Sequence, residues 1–481
     1  MPIARQVRYF KSSRDNWRKK AAEKQGKIRV LEQRVRDLEK SREQWKSKAK
    51  QAEERVKELE KKQSKELKTR EETQENCQII KIPSHHYCLT TIKISIQQVI
   101  LSRNSYRAVE MNLKLLSEDF KIGSPHFSSI RKWVARLGLY ELNRPKSLRD
   151  DWIFLVDLTL ELGQEKAMVV YGLSQENYQR ISHQEKRALR HTDGEILLME
   201  VLSKATGEVI KEKLKLLSQT QGIPQQLLGD RGSNLKKGIS LYQEDHPDVV
   251  YTYDVTHAMS NLLKHQLATD EIYQNFLEDC HYCRLQIQQT ELSFLTPPRQ
   301  RSQCRYFNVE RLVKWASQLL NSPLDVLFQL IPDPNTEVVS QRLKEKFTWL
   351  AYYEQSLKKW EQMVFLTRSL EKQVKIDGFH QKSIEDFERQ ISWVSLSSEL
   401  LDFKEKILQY LRQEVNRLNT DTEQSFLATT DILESLFGKY KEFSARCPLK
   451  ELRQMLLTIP LSTMNLTTDI IKKALSTIGG D

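Results

Sequence analysis

Residues 152–162, WIFLVDLTLEL, place the strongest constraint on how this chain folds. Ile153, Phe154, Leu155 and Val156 form an unbroken apolar run that meets Asp157 and resumes at Leu158. That is the pattern of a central strand covered on both faces, because a half-exposed strand would alternate. A carboxylate in such a strand is costly unless it is paired, hydrogen-bonded or bound to a metal, so Asp157 is either a satisfied structural acid or a ligand. A second acid of the same kind follows where the short strand QQLLGD runs into Gly229-Asp230-Arg231-Gly232. The two need one explanation.

Around these acids the hydrophobic period is strand-like. WIFLVDLTLEL, EKAMVVYGLS and EILLMEVLSK read as three consecutive strands, and the helix TGEVIKEKLKLLSQTQG leads to QQLLGD. A further helix, about residues 234–242, leads to a fifth strand, VVYTYDV. The order β, β, β, α, β, α, β predicts an α/β fold, a mixed sheet with helices on its faces in the ribonuclease H-like layout. In that layout the first and fourth strands are neighbours, which puts Asp157 within reach of Asp230.

Ahead of this region the chain changes character twice. Residues 14–76 are nearly free of Gly and Pro and carry a seven-residue repeat with the seam Ile28, Leu31, Val35, Leu38, Arg42, Trp45, Ala49, Ala52, Val56, Leu59. Nine of these ten are apolar, so a self-associating coiled coil is expected, with Arg42 weakening the seam locally. Next, a helix over about 105–116, a turn holding Gly123, Ser124 and Pro125, and a second helix over 126–137 closed by Gly138 have helix-turn-helix spacing. In the second helix Ile130, Trp133 and Val134 take the packing face, and Arg131, Lys132 and Arg136 face outward, as a major groove would require. A structural three-helix subdomain with a solvated face is the alternative. The surplus of 76 Lys and Arg over 64 Asp and Glu, net +12, suits a polyanionic partner.

Beyond residue 265 the pattern is helical to about residue 425, with Trp315, Trp349, Trp360 and Trp393 as core anchors. Cys280 and Cys283 lack a fourth zinc ligand at suitable spacing, and His85 and His86 beside Cys88 read as ordinary surface residues. Six scattered cysteines suit a reducing compartment. No apolar run approaches the roughly 18 residues needed to span a bilayer, and no h-region follows the basic start, so a soluble, unexported protein with no membrane partner is expected.

The strand bearing Asp157, GDRGSNLKKGI at Asp230, YTYDVTHAMSNLLK at 251–264 and TTDILESLFGKYKEF at 429–443 together resemble the DDE transposases of bacterial insertion sequences. The likeness is to the kind with a helical insertion before the last acid, related to the Mutator-like group. His257 and Lys264 match the family's His followed by a basic helix, and Asp431 and Glu434 match its Asn- or Asp-x-x-Glu helix start. Asp254 stands where many relatives carry Cys, which leaves its role open. The heptad seam gives a coiled coil at 1–78; the resemblance, which covers roughly residues 80–445, goes with a helix-turn-helix DNA-binding domain at 79–146, a ribonuclease H-like catalytic domain at 147–265 and 426–481, and a helical insertion at 266–425.

It also implies a metal-dependent transposase that nicks element ends and joins the freed 3′-hydroxyl to target DNA. Two Mg²⁺ ions, replaceable by Mn²⁺, would be held by Asp157 as bridging ligand, Asp230 on one ion and Glu434 on the other, since such ions take hard oxygen donors. Read without the resemblance, Asp431-x-x-Glu434 is a capping box, and Glu310 competes with Glu434 for the third acid. Gly438 and Lys441 share the face of Glu434 and would let a phosphate backbone approach. The expected partners are double-stranded DNA and a second copy through the coiled coil, in a cytoplasmic, nucleoid-associated protein. A DNA-binding regulator with an inactive transposase-like domain is the runner-up.

Overall fold

The computed structural model describes residues 81–83, 85–120, 122–162, 165–299, 309–322, 336–418, 424–445 and 454–479, with scattered positions between 3 and 55. The chain divides into two units, Met1–Ile79 and Ile80–Asp481. In the first, the described positions are helical and exposed; Val35 and Arg42 of the heptad seam are among them, and the rest of the seam lies outside the described residues.

In the second unit the strand that holds Asp157 is central. Strands β1 (Trp152–Leu162), β2 (Glu165–Ser174), β3 (Glu195–Leu202), β4 (Gln226–Gly229) and β5 (Val250–Tyr253) form one sheet in the order β3-β2-β1-β4-β5. β1, β2 and β3 pair antiparallel; β4 joins β1, and β5 joins β4, in parallel. This mixed sheet has ribonuclease H-like character, and the expected adjacency of first and fourth strands is observed. The apolar run in β1 is unbroken because both faces are covered. Trp152, Phe154 and Val156 pack with Ile210 and Leu214 of α4 (Gly207–Gln221) and with Leu235, Ile239 and Tyr242 of α5 (Ser233–Asp245). Ile153 and Leu155 pack on the other face with Leu433, Leu436, Phe437 and Tyr440 of α13 (Asp431–Ala445).

Three helices precede the sheet: α1 (Leu89–Ile100), α2 (Tyr106–Asp119) and α3 (Phe127–Asn143). Ser105 caps α2, its hydroxyl accepting from the amide of Ala108 at 3.2 Å. Ile92, Ile96, Val109, Leu113, Ile130, Val134 and Leu137 form their core, which Leu461, Ile471, Ala474 and Leu475 from α14 (Thr458–Ser462) and α15 (Thr468–Thr477) complete. Residues grouped by sequence with the end of the catalytic domain thus pack on the N-terminal helices. Two expectations for α3 are corrected. The helix does not stop at Gly138 but runs to Asn143; the glycine is there because a Cβ would lie 2.2 Å from the carbonyl oxygen of Leu457. Arg136 does not face outward either. Its guanidinium donates to the carbonyls of Leu475, at 2.6 Å, and of Ile478, satisfying open acceptors at the end of α15. Arg131 and Lys132 are exposed as expected.

Between α6 (Val255–Ala268) and α13 lies a large all-α insertion: α7 (Glu271–Ile287), α8 (Val309–Asn321), α9 (Thr336–Phe347), α10 (Glu354–Asp377), α11 (Ser383–Ile391) and α12 (Ser398–Val415). Trp360 is fully buried at its centre among Phe276, Tyr353 and Leu357. Trp393, expected as an anchor, is 74% exposed and meets only the edge of this core through Phe365. The same core takes in Val250 and Tyr253 of β5 and Val255 and Met259 of α6, so insertion and sheet share one packed interior. Cys280 and Cys283 are buried on α7, and burial pushes their thiols up, Cys283 to about 11, as for ordinary core cysteines. No helix among the described residues is long and apolar enough to cross a membrane.

Candidate active site

Register alone sets three aspartates side by side. Val156 pairs with Gly229 and Gly229 with Tyr253, and the residues that follow are Asp157, Asp230 and Asp254. Asp230 and Asp254 directly follow the carboxyl ends of β4 and β5, and Asp157 lies within β1 where its parallel pairing with β4 ends, at the side of the sheet where ligands bind in open α/β folds. Side chains alternate along a strand, so Asp157 falls on the face of Ile153 and Leu155, and Asp230 on the face of Leu228. That is the face α13 covers, and α13 carries Glu434. Asp157 is 8% exposed, and the pairing of β1 with β2 slips between Asp157 and Leu160, a bulge of the kind that re-aims side chains beside active sites.

Asp254, whose role the sequence left open, is a structural carboxylate. It is 1% exposed and accepts four hydrogen bonds: the amide and Nδ1 of His257 at 2.7 and 3.0 Å on Oδ1, and the amide and hydroxyl of Thr430 at 2.6 and 3.0 Å on Oδ2. One side chain therefore caps α6 and grips the residue just ahead of α13. Burial would raise its carboxyl, but the bonds from His257 and Thr430 hold it below the usual carboxylate range. The hydrogen bond to Asp254 raises His257 to about 9 against the opposing effect of burial, and Glu434 and Asp230 add to the rise. His257 Nε2 lies 3.8 Å from Glu434 Oε1. Partial desolvation lifts the Glu434 carboxyl, which is still 42% exposed; His257 opposes this, and Asp254, Asp431 and Asp157 reinforce it. Glu434 thus faces His257 within the field of Asp157. The amide of Asp431 instead takes the Thr429 hydroxyl, at 3.2 Å, so the start of α13 has a cap of its own.

Asp230 is held by its own turn and by β5, and the insertion braces its neighbour Arg231. Its Oδ1 accepts the amide of Gly232 at 3.1 Å, and its carbonyl accepts the Tyr251 hydroxyl at 2.9 Å. Next to it, Arg231 lies over the Tyr253 ring and donates to Glu414 of α12 at 2.8 Å. Glu414 is fully buried and also accepts from Arg417 at 2.7 Å and from the amide of Tyr253 at 2.9 Å, which closes the open edge of β5. Sequence reasoning missed this residue, although the signal was present: Ile407, Leu411 and Glu414 share one helix stripe, which places a carboxylate in an apolar seam.

Glu434, Gly438 and Lys441 are exposed along one face of α13, and a Cβ on Gly438 would meet nothing within 4 Å. Lys264 is exposed on α6, two turns beyond His257. Glu310, the rival third acid, pairs with Arg368 at 2.9 Å on the insertion. Among the described residues no three acidic, histidine or cysteine side chains converge closely enough to hold one ion. The site's carboxylates are hard oxygen donors of the kind Mg²⁺ or Mn²⁺ takes, with Glu434 turned toward His257.

The outer side of α13 is fixed by His191, whose Nε2 lies 3.0 Å from Ser435 Oγ and whose Nδ1 accepts from Lys439 at 2.9 Å. Burial, then Lys439 and Arg103, push its pKa down to about 4. An unfolded chain protonates this ring near 6.5, so between 6.5 and 4 the unfolded state binds the extra proton and stability falls as pH falls. The thermal midpoint of the wild type should accordingly drop more between pH 7 and pH 5 than that of His191→Gln. Parallel midpoints across that window would show that the ring does not carry this linkage.

No family model matches the chain. No curated protein matches it either. Among solved structures, it is similar to one described as the Drosophila P element transposase strand transfer complex, at 12% identity and a TM-score of 0.36, covering 80% of this chain and 94% of that one.

Proposed function

We propose that the chain is a divalent-cation-dependent DNA transposase that cleaves element ends and joins the 3′-hydroxyl to target DNA. The observation that carries this reading is the row of aspartates where the parallel pairing of β1, β4 and β5 ends, on the face where α13 brings Glu434. Asp157, Asp230 and Glu434 would hold two Mg²⁺ ions, or Mn²⁺ in their place, and bound ions would activate the attacking oxygen and stabilise the leaving one. His257, cationic at neutral pH, offsets the crowded carboxylates, and Asp254 fixes both its ring and the start of α13. Lys264, Lys441 and the open face at Gly438 would receive the phosphate backbone; Arg131 and Lys132 would contact the element's ends. Arg136 is left out of this set because its donors serve α15. Pairing of two copies through the coiled coil would bring two ends to two sites, in a cytoplasmic protein associated with the nucleoid.

One observation favours a second reading. Three donors do not converge among the described residues, as in a DNA-binding regulator whose transposase-like domain is inactive. Supercoiled plasmid carrying the DNA that flanks the gene, incubated with the full chain and Mg²⁺, separates the two. Nicking and joined products support the transposase, and binding to the flanks without any cleavage supports the regulator.

A further inference from the structure

Between the turn that follows β2 and the outer side of α13 lies a cavity of about 680 Å³, within the ~300–1,000 Å³ range of small-molecule sites. Ile181, Ile376, Leu427 and Ile432 form apolar walls, and Ile376 is 53% exposed there. Lys186, Arg190 and Lys375 stand among its lining residues as cations. The backbone is strained to build this lining. A π-helical turn, Arg180–Glu185, ends in Lys186 at φ 48° and ψ 46°, a left-handed conformation that costs a lysine roughly 1–2 kcal/mol. Strain of this kind persists where surrounding bonds enforce it, commonly at functional sites. Here Asp193 holds Arg187 through two bonds, at 2.7 and 2.8 Å, and the amide of Arg190 at 2.5 Å.

Asp431, the acid among the lining residues, is already used by Lys375 at 2.8 Å, and Asp193 behind Arg187 is held by that arginine. Lys186 enters no ion pair among the described residues, and Arg190 shares Asp193 with Arg187, which leaves net positive charge over an apolar surface. Asp431, Ile432 and Ser435, which also line the cavity, flank Glu434 on α13, so an occupant stands within one helical turn of the candidate acid.

From this geometry we infer that the cavity binds one unstacked nucleotide, its base against the aliphatic walls and its phosphate against Lys186 and Arg190. An apolar wall rewards a base only once it has left its stack, and a cation rewards the phosphate beside it. The nucleotide comes from a strand of the DNA substrate, an assignment that rests on the reading proposed above; a free nucleotide has the same chemistry.

The test is fluorescence anisotropy with the full chain in EDTA, using a labelled single-stranded dodecamer of mixed sequence and an abasic deoxyribose-phosphate strand of equal length. Wild type should bind the base-bearing strand about tenfold more tightly, since base contacts contribute ~1–3 kcal/mol each. Ile376→Asp should remove that preference, and Lys186→Asn with Arg190→Glu should weaken both strands about tenfold. Asn tolerates the left-handed backbone, and circular dichroism checks that each variant is folded. A wild type that does not distinguish the strands, or a preference that survives Ile376→Asp, overturns the inference. Displacement by free dAMP near the dodecamer's own Kd would overturn the strand as its source. With no divalent cation present, these results stand apart from the cleavage assay on the plasmid.

Discussion

Glu414→Ala should destabilise the chain by about 3 kcal/mol, read as a lower urea midpoint. Removing one partner of a buried charge network costs ~3–5 kcal/mol, and the lower end applies because Arg231 and Arg417 remain partly open to water. The loss has three parts: two guanidiniums without their acceptor, the Tyr253 amide without its partner, and a cavity at the edge of β5. Glu414→Gln keeps the volume and an acceptor for Tyr253, so its cost should be clearly smaller. Equal losses for the two variants would mean that packing, not charge, holds the junction between insertion and sheet.

The second large effect concerns the chemistry. Asp157→Asn and Asp230→Asn should each lower Mg²⁺-dependent cleavage by about a thousandfold, because bound ions supply several kcal/mol of transition-state stabilisation and each 1.36 kcal/mol is tenfold in rate. DNA binding should remain, since the lysines and arginines assigned to it lie elsewhere. Glu434→Gln should behave like the aspartate variants, and Glu310→Gln like wild type, its carboxylate being committed to Arg368 on the insertion. Cleavage that survives Glu434→Gln and fails in Glu310→Gln would move the third acid and undo the role given to α13.

Much of this arrangement could be read from the chain before any coordinates. The unbroken run at Ile153 to Val156 fixed β1 as central, and the order of periods fixed the neighbourhood of β1 and β4, because burial on both faces and crossover connections leave few alternatives. Asp157 stood out through the cost of a carboxylate in a buried strand, whereas Asp230, expected at a strand position, lies just past β4. What local pattern cannot encode is where a side chain ends up across the fold. Arg136 looked outward because helix period alone cannot show that the carbonyls at the end of α15 would sit over it. Gly138 looked like a helix stop because a stop and a close approach both call for glycine, and only the position of Leu457 distinguishes them. Asp254 shows the same limit. The sequence left its role open, because its grip on Thr430 spans 176 residues and emerges only when α13 docks.

The central claim is that Asp157, Asp230 and Glu434 together hold a divalent cation. Titrating Mn²⁺ into the full chain and following free Mn²⁺ by electron paramagnetic resonance reads this without DNA or turnover. Wild type should take up the ion, Asp157→Asn with Asp230→Asn should abolish uptake, and Glu434→Gln should weaken it while Glu310→Gln leaves it unchanged. Uptake of Mn²⁺ that is the same in all four proteins would contradict the account.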